Sequence, residues 1–150
     1  SADATERPVL IGALTLVRAP EATAALDKML ASPEAESRKA VLRALSAARG
    51  QESLELLVKV AAGSSPEDER ILALRGAIET VPTLEGLNSS ARITHFRKLW
   101  PLTFRQDEKD AILAAVGQIK DKSASKFIEE FAPAAAPAAP AAKPATAAAK

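Results

Sequence analysis

The chain has 150 residues, 47% apolar and 26% charged, the balance of a folded domain rather than a disordered chain. Aromatics are only 3% and cysteine is absent, so Ala and Leu must fill the core, while disulfides, thiolate metal sites and cysteine nucleophiles are excluded. The formal net charge is +1; residues 132–150 hold two of the cations and no acid, leaving 18 basic against 19 acidic residues elsewhere. Nothing in that balance points to nucleic acid or a membrane surface, and no apolar run is long enough for a membrane span.

Taken in chain order, apolar residues recur at helical spacing. Leu10, Ala13, Leu14 and Val17 are followed by Val41, Ala44, Leu45 and Ala48, then Leu54, Leu57, Val60 and Ala61, each set lining one face of a helix. Ser32-Pro33-Glu34 and Ser65-Pro66-Glu67 read as helix starts, with a hydroxyl N-cap, Pro at the first helical position and an acid in the first turn. Gly50 and Gly63 follow apolar runs, where a positive φ is wanted. Ser64-Ser65 and Ser89-Ser90 also read as caps. These signals predict helices at 5–18, 21–31, 34–49, 52–62, 67–81, 90–101, 106–119 and 122–131. From Ala132 on, Pro133, Pro137, Pro140 and Pro144 interrupt an Ala-rich stretch, which reads as a disordered tail or linker at 132–150. The folded domain is expected at 1–131.

The helices repeat. Leu10, Ala13, Leu14 and Arg18 match Val41, Ala44, Leu45 and Arg49 at an offset of 31. A shift of 33 carries Val41, Ala44 and Leu45 onto Leu74, Ala77 and Ile78, and a further 38 carries these onto Ile112, Ala115 and Val116. The longer step is accounted for by an insertion at Pro82 to Ser89. Helix pairs at such a period imply a stacked α-solenoid. Glu36 to Leu45 and Asp107 to Val116, each a charged first turn followed by small and aliphatic residues, make the chain resemble the HEAT-repeat (armadillo-like) family over about residues 5–131.

The resemblance implies an all-α, right-handed α-solenoid of stacked antiparallel helix pairs, about four repeats. It also implies a non-catalytic scaffold or docking role on the groove of the second helices, with a protein partner and no cofactor. The second segment is similar to modules of large bacterial extracytoplasmic proteins, so a periplasmic or extracytoplasmic setting is expected. Because the chain opens in a second helix, it is also expected to be part of a longer solenoid. An accessory region of a larger enzyme and a nucleic-acid-binding solenoid are the alternatives; the second is disfavoured because no basic column runs along the second helices.

Candidate partner-binding residues follow from a helical wheel centred on Val41. Arg43 and Ser46 fall outward, with Gly12 and Gly76 equivalent to Arg43 and Glu79 equivalent to Ser46; Lys39 heads a mixed column of its own. Gly12 and Gly76 are thus expected in solvent, where bare backbone would admit a partner closely. Arg38 falls beside the core, where its stem is expected to pack and its head to pair with an acid on the neighbouring helix. Asp68-Glu69 and Asp107-Glu108 point about 100° apart on their helices, too divergent to share a substrate, and read as structural. Phe96, Trp100 and Phe104 form an aromatic cluster; it fills the core, with Trp100 as a second possibility, a partly exposed partner anchor. The single His95, flanked by cations, makes no metal site and reads as a surface residue.

Overall fold

The computed structural model describes residues 20–132. Gly12, the helix expected at 5–18 and the tail from Pro133 on lie outside them. Among the described residues there are seven α-helices, two short 3₁₀ turns and no strand. They are α1 (Pro20–Leu30), α2 (Ala35–Ala48), α3 (Gln51–Ala62), α4 (Glu67–Thr80), α5 (Ser89–Leu99), α6 (Gln106–Gly117) and α7 (Lys122–Phe131). The 3₁₀ turns, Val81–Thr83 and Trp100–Leu102, extend α4 and α5. Both contain Pro, which denies the helix its next hydrogen bond.

The helix ends differ from expectation in detail. Neither Ser32 nor Ser65 is an N-cap: α2 is preceded by Glu34 and α4 by Pro66, neither bonding a helix N–H through its side chain. The Ser32 hydroxyl instead accepts the Glu34 N–H at 3.2 Å, closing a local turn. Asn88, not the serines after it, caps α5, its Oδ1 accepting the Ala91 N–H at 2.8 Å. The left-handed residue after α2 is Arg49, at φ 50, while Gly50 sits extended as the N-cap of α3. Gly63 is not left-handed either, at φ −82.

Each helix packs on its sequence neighbour and also on the helix two places along: α1 on α3, α2 on α4, α4 on α6 and α5 on α7. One apolar core runs from Leu26 to Phe127, with Val41, Leu42, Leu57, Leu74, Phe96 and Ile112 fully buried. Helix α4 is central, touching α2, α3, α5 and α6. It buries Ile71, Ala73, Leu74, Gly76, Ala77, Ile78 and Thr80, residues that encircle most of its axis. Beyond Glu67 at its first residue, Asp68, Arg75 and Glu79, with half-buried Leu72 between them, reach solvent as a stripe.

Ion pairs lace every one of those alternate contacts. Asp27 meets Lys59 between α1 and α3 at 2.7 Å. Arg38 grips Glu69, and Lys39 meets Asp68, between α2 and α4, each at 2.7 Å. Arg75 meets Asp107 between α4 and α6, and Arg97 meets Glu130 between α5 and α7, each at 2.6 Å. The partners stand 29 to 33 residues apart in the chain. The divergent acid pairs do serve different partners: Asp68 and Glu69 take separate cations, while Asp107 takes Arg75 and Glu108 accepts the N–H groups of Phe104 and Arg105.

Candidate functional site

Two surfaces emerge from this packing: the exposed stripes of α2, α4 and α6, and a cleft between α3 and α5. On the first, Arg43 and Glu79 are exposed as expected, and neither forms an ion pair among the described residues. Lys39 is half-buried and committed to Asp68. That hydrogen bond raises the Lys39 pKa and lowers that of Asp68. Arg38 behaves as its position predicted. Its guanidinium makes three hydrogen bonds to the buried Glu69 carboxylate, at 2.7 to 3.0 Å, and one to the Ser32 carbonyl, and these contacts hold its pKa above the ordinary value.

Gly76 and Ser46 correct the expectation of an open groove. Gly76 is buried, not solvent-facing. A Cβ there would overlap the Ser46 hydroxyl and approach Ser46 Cβ to 3.0 Å and Leu57 Cδ1 to 3.4 Å. Ser46 is half-buried at the same crossing, its hydroxyl donating to the Leu42 carbonyl at 2.9 Å. The bare backbone admits α2, not a partner chain. Matching α4 to α2 residue by residue assumed one buried face on each, whereas α4 is packed from several sides.

The aromatic residues also regroup. Phe96 is core and Trp100 half-buried. Trp100 meets Phe127 edge-to-face and Phe131 at a tilt, with ring centroids 5.8 and 5.0 Å away, rather than packing on Phe104. Phe104 is 44% exposed and lies under the Arg70 guanidinium, 4.3 Å from its ring centre. Trp100 therefore helps to seal α5 against α7.

The cleft between α3 and α5 was missed by sequence reasoning. It encloses about 260 Å³ and is lined by Gln51, Leu54, Glu55 and Val58 from α3 and by His95, Lys98 and Leu99 from α5. Leu54 and Leu99 are each 1% exposed and form its floor. Gln51 donates to Glu55 Oε1 at 3.4 Å, steadying the acid on one wall. His95 on the other wall is half-buried. Burial lowers its pKa below the ordinary 6.5 and neighbouring Lys98 lowers it further, with Glu55 opposing. Nothing local in the sequence signals this cleft, because its walls come from segments about 40 residues apart.

Among the described residues, no group of His and acidic side chains is placed to hold a metal ion, and no helix is long and apolar enough to cross a membrane. Comparison of the chain with protein-family models, curated proteins and solved structures finds no match.

Proposed function

We propose that the chain is a non-catalytic protein-interaction module: a right-handed α-solenoid of about four HEAT-like helix pairs, in which α2, α4 and α6 form one layer and α1, α3, α5 and α7 the other. The supporting observation is the lacing of alternate helices by ion pairs at 29 to 33 residues, close to one repeat length, as stacked repeats that contact only their neighbours would make. On this reading the binding surface is the outer stripe of α2, α4 and α6, with Arg43 and Glu79 as charges that form no ion pair among the described residues. Two further cations of these helices, Lys39 and Arg75, are tied to Asp68 and Asp107, which lowers the positive charge open to a polyanion and favours a protein partner.

Photo-crosslinking groups at positions 43 and 79, with one at exposed Lys126 on α7 as control, test the reading in extracts of the source cell. A single saturable polypeptide adduct at 43 and 79, absent at 126 and lost on Arg43→Glu, is the expected result. Equal labelling at all three positions refutes it.

A further inference from the structure

We propose that the cleft between α3 and α5 binds a small amphoteric molecule, an apolar body carrying one ammonium and one carboxylate group, the chemistry of an α-amino acid with a branched or aromatic side chain. The inference stands apart from the repeat reading and rests on what this one helix pair lacks. The other alternate pairs, α1–α3, α2–α4, α4–α6 and α5–α7, are each closed by an ion pair. Between α3 and α5 the opposite charges are present but do not meet: Glu55 and Lys98 line the two walls of the open cleft, and neither has an ion-pair partner among the described residues.

The two charged walls call for opposite groups on one ligand. Glu55 has one carboxylate oxygen engaged by Gln51 and the other without a hydrogen bond, so the acid wall suits an ammonium. Lys98 and His95, one helical turn apart on α5, form the wall that suits a carboxylate. A carboxylate there would relieve the repulsion that Lys98 exerts on a protonated His95. Between the walls, Leu54, Val58 and Leu99 offer an apolar floor to the side chain. A volume of about 260 Å³ is matched by a group of roughly residue size. A purely apolar ligand would leave both charges unused, and an anion alone would face Glu55 across the cleft.

His95 is the chain's single histidine, so its ring protons give one unambiguous NMR reporter inside the cleft. The full chain is titrated with L-leucine, with leucinamide, with 4-methylpentanoate and with uncharged N-acetyl-leucinamide. The expected result is saturable movement of the His95 signals with leucine, about tenfold weaker binding of leucinamide and of 4-methylpentanoate, the scale of one lost charge-assisted contact, and weaker binding still of N-acetyl-leucinamide, which lacks both charges. Glu55→Gln should abolish the preference for leucine over 4-methylpentanoate, and Lys98→Met the preference over leucinamide; both positions are at the surface, and a thermal melt checks that the variants fold. Unmoved His95 signals at millimolar leucine, or equal binding of all four compounds, overturns the proposal.

Discussion

Substituting Gly76 by Ala sets two effects of opposite sign against each other. A glycine inside a helix costs about 1 kcal/mol relative to alanine, so on an exposed face Gly76→Ala would stabilise the fold by that amount. In the crossing between α2 and α4, the new methyl would overlap the Ser46 hydroxyl and press on Ser46 Cβ at 3.0 Å and Leu57 Cδ1 at 3.4 Å. The hydroxyl could rotate away only by giving up its bond to the Leu42 carbonyl, worth about 1 kcal/mol net. Ser46 Cβ could yield only if the two backbones moved apart. Overpacking of this kind costs about 1–3 kcal/mol. The first two effects cancel, so net destabilisation of about 1–3 kcal/mol is expected, or roughly 4–12 °C in Tm for a domain of this size. Urea denaturation of Gly76→Ala, Ser46→Gly and the double variant forms a cycle that isolates the contact. The double variant should be more stable than the sum of the single changes implies, because removing the Ser46 side chain makes room for the new methyl. A Gly76→Ala protein more stable than the parent, or a cycle with no coupling, would refute the buried crossing and return Gly76 to the surface.

Arg49→Gly should stabilise the fold by about 0.5–1 kcal/mol, since Arg49 holds φ 50, where a side chain costs energy that glycine avoids; thermal melting checks it, and a destabilised variant would show that the Arg49 side chain contributes more than its backbone costs. Glu69→Ala should cost about 2–4 kcal/mol by chemical denaturation, because it strips the Arg38 guanidinium of its carboxylate beside the core; a cost below about 0.5 kcal/mol would place that pair in solvent. His95 should titrate below 6.5 by NMR. Between the folded and unfolded pKa values the unfolded chain binds more protons, so the His95 contribution to stability is full above 6.5 and is lost as pH falls through the folded value. His95→Gln should flatten the stability profile over that window, and an unchanged slope would contradict the half-buried placement. Asp68, held below its ordinary 3.8 by Lys39, should contribute stability above that pH and lose it on further acidification.

The helices were legible because their signals are local. The 3.6-residue spacing of Leu, Val and Ala, broken by Pro and Gly, places all seven described helices within about two residues of their ends. Arg38 was also legible, since a long cation beside the apolar stripe has few options but an acid on a helix packed against its own, here Glu69 on α4. What failed depended on neighbours a helix cannot announce. The Gly76 environment follows from α4 sitting among four other helices, and the Trp100 partners come from Phe127 and Phe131 on α7, about 30 residues later. The shift of the left-handed position from Gly50 to Arg49 is a displacement of one residue, within the ordinary uncertainty of a helix end. The α3–α5 cleft lies where Glu55 and Lys98 face one another without forming an ion pair, and no periodicity encodes a gap.

That gap has a consequence for how the molecule comes apart. Ion pairs bind α1 to α3 and α2 to α4 on one side of it, and α5 to α7 on the other; among the described residues the one ion pair that spans the two groups is Arg75 to Asp107. The connection at this seam is the segment from Val81 to Asn88, anchored by buried Val81 and Leu84 and turned at Gly86 with φ 75. Opening there breaks one exposed ion pair together with the apolar contacts of α4 with α5 and α6, fewer links than hold α2 to α4, so α5 to α7 are expected to exchange as a cooperative unit before the core of α2 to α4. Amide exchange would divide the chain at Val81–Asn88, and the same segment is where added length disturbs the packing least.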